Sequence, residues 1–258
     1  MKKVIATAIL CAAALISCAS APTQTQTQTP ESLGKAVADS SEIYNDIGNE
    51  YYGERDYDKA IAAYTQAIRL NPAFVQAYGN RGNAYDDKGE SDKAIADYTE
   101  AIRLDPNRAK SYYNKGLAER RKGNYDQAIA DYTEAIRLDS NYMDAYYNRG
   151  TAYFYKEDHD RAISDYSKYI LFKPDFAYAY FNRGNVYLDI KAYDQAISDL
   201  TEAIRLNPNL AEAYFCRGNA YYHKEEIVKA AEDWAATLRI NPKHPEARNN
   251  LRDVLKRI

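Results

Sequence analysis

Apolar and polar residues alternate along this chain in one pattern used many times. Residues 94–105 read Ala-Ile-Ala-Asp-Tyr-Thr-Glu-Ala-Ile-Arg-Leu-Asp, and the same string returns at 128–139, an offset of 34. Glycine recurs at 48, 82, 116, 150, 184 and 218 and alanine at 60, 94, 128, 162, 196 and 230, always 34 apart with no insertion. The frames are therefore 41–74, 75–108, 109–142, 143–176, 177–210 and 211–244. In the second frame Tyr78, Gly82 and Tyr85 form one run, and Ala94, Ile95, Tyr98, Ala101, Ile102 and Leu104 form another. Recurrence every three or four residues is helical spacing, so each frame predicts two amphipathic helices. The first stops near Lys88-Gly89, and Pro72, Pro106, Pro174, Pro208 and Pro242 close five frames, with Ser140 in the third. Beyond the last frame, Ala247, Leu251, Leu255 and Ile258 share a face of one more helix over 245–258, expected to cap the stack.

Tyr at frame position 4, Gly at 8, Tyr at 11, Ala at 20, Tyr or Trp at 24, Ala at 27 and Pro at 32 resemble the tetratricopeptide repeat across 41–244. Departures are local: Glu119 stands for Tyr, Tyr169 and Thr237 for Ala, and Leu200 for Tyr. The resemblance implies an all-α fold, a right-handed α-solenoid superhelix of six helix hairpins plus a C-terminal capping helix. Small residues at 8 and 20 let two antiparallel helices approach, and rings at 4, 11 and 24 fill the space around them. Such hairpins are thin, which suits a chain with 26 Tyr against 6 Phe and 1 Trp, because a Tyr ring can be buried while its hydroxyl finds a partner.

Comparing frames exposes a linked pair. Position 7 is Arg81, Lys115, Arg149, Arg183 and Arg217 but Ile47 in the first frame, and position 23 is Asp97, Asp131, Asp165, Asp199 and Asp233 but Ala63 there. Base and acid appear and vanish together, which predicts an ion pair between the two helices of each repeat, structural in role.

The resemblance also implies that the first helix of each pair lines a concave groove, through positions 2, 5, 6, 9, 12 and 13. Position 6 is Asp46, Asn80, Asn114, Asn148, Asn182 and Cys216, and its four asparagines resemble the asparagine ladder of the O-GlcNAc transferase superhelix. A side-chain amide donates and accepts, so it can hold a peptide backbone without reading its side chains; local bonding of the same amides is the alternative. Tyr113, Tyr147, Phe181 and Phe215 at position 5, with Phe154 and Tyr222 at position 12, make the C-terminal half of the groove aromatic. Either they meet a partner or they pack between neighbouring first helices. Asp86 and Asp87 are expected to pair with Arg120 and Arg121 across a repeat boundary. Only three of the five positions of the family's dicarboxylate clamp match, so that clamp is rejected.

Upstream of the frames, Met-Lys-Lys and an apolar run from Val4 to Ile16 read as a secretory signal peptide over 1–17, too short for a membrane span. Leu15-Ile16-Ser17-Cys18 resembles the bacterial lipobox, which implies a lipid on Cys18 and a membrane anchor. Ala19 rather than Asp after it implies the outer membrane of the cell envelope, facing the periplasm. Residues 18–40, opening with a Thr/Gln-rich tract, are expected to be a flexible tether. Net charge is −3 with acid and base interspersed, which disfavours nucleic acid as a partner. His159, His223 and His244 read as surface residues, Cys216 as packing, and no motif points to catalysis, metal or cofactor. The function expected is a protein-interaction scaffold or assembly factor gripping an extended segment of an envelope protein, with a glycan- or peptidoglycan-binding module as the alternative.

Overall fold

The computed structural model describes the backbone of residues 30–256 and the side chains of 39–256; the leader, Cys18 and the tract up to residue 29 lie outside the described residues. The first helices of the six repeats are α1 (Pro30–Gly53), α3 (Val75–Asp87), α5 (Ala109–Arg121), α7 (Met143–Tyr155), α9 (Ala177–Asp189) and α11 (Ala211–His223). The second helices are α2 (Tyr57–Leu70), α4 (Ser91–Leu104), α6 (Tyr125–Leu138), α8 (His159–Phe172), α10 (Tyr193–Leu206) and α12 (Ile227–Ile240), and α13 (Pro245–Leu255) follows. No strand occurs among the described residues. Each helix packs on the one before and the one after, and first helices of adjacent repeats also touch, as an all-α solenoid requires.

One boundary and one buried face differ from the sequence reading. Helix α1 begins at Pro30, so residues 30–40, expected in the tether, are helical. Proline at the first helical position loses no intrahelical bond, which makes it a fitting start. In α13 the inward residues are Ala247, Leu251 and Val254, while Leu255 is 61% exposed. Steps of four and three follow the 3.6-residue turn; a further step of four would drift off the buried face.

Every turn between the helices of a repeat passes through a left-handed residue at position 15. Only Gly89 (φ +80°) and Gly123 (φ +82°) are glycines; Arg55, Glu157, Lys191 and Glu225 adopt φ of 58° to 62°. The conformation ends the first helix and turns the chain back, at a strain cost when a side chain is present.

Inside each repeat the bare backbone of position 8 meets the side chain at position 24. A Cβ built on Gly82 would lie 2.6 Å from the Tyr98 ring, and one on Gly116 2.8 Å from the Tyr132 ring. Tyr64, Tyr98, Tyr132, Tyr166, Leu200 and Trp234 at position 24 are at most 2% exposed. Most rings at positions 4 and 11 are only half-buried. Their role is to flank the ion pair: the Arg81 guanidinium lies 5.7 Å from the Tyr78 ring and 5.9 Å from the Tyr85 ring, and Arg149 lies between Tyr146 and Tyr153 in the same way.

The ion pairs form in all five repeats that carry the residues. Arg81, Arg149, Arg183 and Arg217 each present Nε and Nη2 to both oxygens of the aspartate, at 2.6–2.9 Å. The remaining Nη1 donates to a hydroxyl of the preceding repeat: Thr65, Thr133, Ser167 or Thr201. Burial acts to lower the Arg81 and Arg149 pKa values, but the paired aspartates outweigh it and raise them. Lys115 is the exception. Its ammonium reaches Asp131 at 3.0 and 3.1 Å, and Thr99 only donates to its own helix at Ile95. Burial pushes the Asp131 carboxyl up despite Lys115. Thus Asp131 contributes less to stability as pH rises through its raised folded value than below its unfolded value.

Two expectations follow. Lys115→Arg should restore the fork and the Thr99 contact and stabilise by about 1 kcal/mol, read as a higher denaturation midpoint. In a thermodynamic cycle, Asp165→Ala should cost about 3 kcal/mol and Arg149→Ala little more once Asp165 is gone; additive losses would contradict the pairing. Separately, Gly82→Ala should destabilise by about 2 kcal/mol in urea unfolding, because the rigid Tyr98 ring must shift.

Candidate functional site

The first helices lie side by side, and a line of polar bonds runs between them. It starts from the buried rings. Tyr64 Oη donates to Asn49 (2.9 Å), Tyr98 Oη to Asn83 (2.8 Å), Tyr166 Oη to Thr151 (3.1 Å) and Trp234 Nε1 to Asn219 (3.1 Å). All four acceptors occupy position 9. The same oxygens then take a second donor from the next helix: Asn80 Nδ2 reaches Asn49 (3.1 Å), Asn114 reaches Asn83 (2.9 Å) and Asn250 of α13 reaches Asn219 (3.4 Å). Asn80 also donates to Asn45 (3.0 Å).

The asparagine row is therefore real in geometry, but its donors are turned toward the preceding repeat. Where position 9 is Leu117 or Thr151, the donor finds a phenol instead: Asn148 Nδ2 donates to Tyr113 Oη (3.1 Å) and Asn182 Nδ2 to Tyr147 Oη (2.9 Å). Asn148 also bonds the Asp144 carbonyl (2.8 Å). The Oδ1 atoms of Asn80, Asn114, Asn148 and Asn182 accept from no donor among the described residues. What the row offers a ligand is a set of acceptors.

The position 5 rings are half-buried and pack into the repeat interior. Tyr113 lies 4.8 Å from Tyr142 and 5.9 Å from Tyr132; Tyr147 lies 5.0 Å from Tyr169, 5.6 Å from Phe176 and 5.8 Å from Tyr166. Phe181 packs on the cluster around Leu200, Phe215 sits 4.5 Å from the His244 ring, and Phe154 packs beside Tyr166 and Val186. Tyr222 lies 5.7 Å from Trp234 and borders a cavity of about 380 Å³ between the last repeat and α13, which Asn219, Asn250 and Asp253 also line.

Two local expectations are corrected. Arg121 pairs with Asp86 at 2.7 Å, but Asp87 accepts from Tyr52 and Arg120 has no carboxylate partner among the described residues. His244 is not a surface residue: it is 6% exposed and caps α13, its Nδ1 accepting from the Ala247 N–H at 3.3 Å. It also faces Glu212 at 3.4 Å. Burial pushes the Cys216 thiol up to about 12, with Glu212 and Asp189 adding to the effect, so it stays protonated near neutrality.

Two repeats break the polar line. In the third, Leu117 offers the buried Tyr132 Oη no acceptor, and the hydroxyl lies against Arg120 without an aligned hydrogen bond. In the fifth, Leu200 replaces the ring that would donate to Asn185, and Cys216 replaces the next asparagine, so Asn185 Oδ1 is buried and unpaired. The sequence carried both signals, as mismatches between positions 9, 24 and the following 6. Cys216→Asn should supply the missing donor and raise the midpoint of thermal unfolding by a few degrees, an effect of about 1 kcal/mol. No change in melting would count against this pairing.

Among the described residues no group of three His, Cys, Asp or Glu side chains is placed to hold a metal ion, and no helix is long and apolar enough to cross a membrane. Tetratricopeptide repeat models match residues 45–109, 97–130, 144–176 and 211–244, and a TPR repeat model matches 116–156 and 184–225. No curated protein sequence matches. Among solved structures, YrrB, described as a TPR protein with an unusual peptide-binding site, is 26% identical over 76% of this chain and 98% of its own, with a TM-score of 0.66. MamA is 32% identical over 67% of this chain and 94% of its own, with a TM-score of 0.62. Pseudomonas aeruginosa PilF, at 15% identity, shares the fold over 86% of this chain and all of its own, with a TM-score of 0.70. Repeat spacing, stacked hairpins and matching models coincide over most of the chain, which belongs to the tetratricopeptide repeat family.

Proposed function

We propose that this chain is a non-catalytic scaffold or assembly factor of the bacterial cell envelope, binding an extended segment of another envelope protein along the surface of its first helices. A lipid on Cys18 would hold it at the outer membrane, on the periplasmic side. The observation that carries the groove reading is the row Asn80, Asn114, Asn148 and Asn182, one per repeat, each fixed by donating backward and each with an unfilled Oδ1. Backbone N–H groups of an extended chain supply the matching donors. Packed helices sit about 8–10 Å apart and an extended chain rises about 3.3 Å per residue, so one asparagine meets about every third residue. The peptide-binding site named for YrrB supports the same reading. The anchor rests on the basic, apolar leader and the Leu15-Ile16-Ser17-Cys18 motif.

A glycan ligand is the second reading, favoured by the cavity beside Tyr222, where a ring, two amides and a carboxylate converge. Binding to isolated peptidoglycan separates the two.

The test is crosslinking in the native cell followed by purification of the chain with whatever it holds. Asn114→Ala combined with Asn148→Ala should reduce the captured protein at least tenfold while leaving helix content and cooperative melting in place. Undiminished capture rejects the row as a binding element. Cys18→Ser should move the chain from the membrane fraction to the soluble fraction, and retention in the membrane would reject the anchor.

A further inference from the structure

The third repeat holds a half-buried cation that the fold does not neutralise. Arg81, Lys115, Arg149, Arg183 and Arg217 each face an aspartate, and Arg121 faces Asp86. Arg120, one residue away on α5, has none among the described residues, and its Nε is buried without an aligned hydrogen bond to any of them. Its charge reaches the hydroxyls of Tyr113, Tyr132, Tyr147 and Tyr166, from the third and fourth repeats.

Tyr166 donates to Thr151, but the other three hydroxyls are short of acceptors. Tyr132 Oη is buried beside the Arg120 guanidinium, which it meets without an aligned hydrogen bond, and it has no acceptor among the described residues. Tyr113 and Tyr147 accept from Asn148 and Asn182, which leaves both O–H protons without an acceptor among the described residues. Asp144, the carboxylate whose field reaches Tyr113, is engaged by Lys173 at 3.2 Å. The centre of the groove thus gathers a guanidinium and phenol donors with no anion to receive them. An unpaired, partly desolvated cation is unfavourable by itself and becomes favourable when a partner brings the counter-charge.

We infer that Arg120 is the anchor for a carboxylate of the bound segment, either an Asp or Glu side chain or a chain terminus, with Tyr113 and Tyr147 donating beside it. A guanidinium offers two parallel N–H bonds to a carboxylate, which fixes the position of the segment along an asparagine row that repeats every 34 residues and cannot fix it alone. The inference rests on the groove reading and adds the chemistry of one contact.

The probe is an array of random 12-residue peptides, acetylated and amidated, in paired versions with one Asp or Glu or with Asn or Gln in its place. A companion array leaves the C-terminal carboxylate free. The full chain in detergent should hold acid-bearing peptides about tenfold better than their amide partners, a difference of about 1.4 kcal/mol. Preference in the amidated array identifies a side-chain carboxylate, and preference confined to the companion array a terminal one. Arg120→Gln should remove the preference and keep binding of the acid-free peptides, whereas Arg121→Gln, whose residue is engaged by Asp86, should leave the preference in place. If Arg120→Gln does not fold, Arg120→Lys keeps the charge without the fork and should cut the preference about threefold. Binding without acid preference, or a preference that survives Arg120→Gln and Arg120→Lys, overturns the carboxylate anchor and leaves the groove reading standing. Absence of binding to any peptide overturns both.

Discussion

The contact between the bare backbone at position 8 and the side chain at position 24 sets the terms for the rest of the molecule. With no Cβ in the way, the side chain at position 24 comes against the first helix, which fixes how closely the two helices of a hairpin approach. A tyrosine buried that deeply brings a hydroxyl with it, and a buried hydroxyl must be bonded. The acceptor at position 9 of the same first helix meets that need, and it stands where the asparagine of the next repeat can reach it too. A packing constraint inside one hairpin thereby dictates a polar line between hairpins, and that line is the surface the proposed partner would meet.

The ion pairs join repeats in a second way. Each arginine fork holds an aspartate of its own repeat and a hydroxyl of the preceding one, so the angle between hairpins is set by directional bonds as well as by apolar contact. Replacing buried pairs with apolar residues often costs nothing, so their contribution here is to geometry more than to net stability. In the first repeat Ile47 and Ala63 stand where the other repeats carry the pair. Nearest-neighbour couplings of this kind make a stack whose stability grows repeat by repeat.

Much of this was legible before any coordinates. The 34-residue period gave the hairpins, and the joint loss of Ile47 and Ala63 from the charged pattern gave the ion pair, because repeats act as parallel experiments on one fold. Less legible was the direction of each asparagine. Whether Asn148 bonds an amide or a phenol depends on Leu117, 31 residues earlier, and only the helix-to-helix spacing brings those positions together. Asp86 and Asp87 stand at the frame positions of Arg120 and Arg121, yet Arg121 takes Asp86 and Tyr52 of the preceding repeat donates to Asp87, which leaves Arg120 aside. His244 looked like a surface residue because nothing local marks it as a cap; α13 buries it. The start of α1 was missed for a similar reason, since the repeat pattern says nothing about helical residues outside the frame.

Where the inner surface satisfies itself, it has little to offer a ligand. In the first two repeats amide bonds amide, with Asn80 joined to both Asn45 and Asn49. From the third repeat the acceptor becomes a phenol oxygen, and each phenol retains a proton that the fold does not place. A phenol accepting from an asparagine is a directed donor: its ring is held by packing, as Tyr147 is by Tyr169 and Phe176, so little freedom is lost when a ligand accepts from it. The substitution of Leu117 for an amide at position 9 therefore does more than orphan one hydroxyl. It turns Asn148 onto the Tyr113 ring, as Thr151 turns Asn182 onto Tyr147, and between them the closed polar seam opens into a surface of phenol donors.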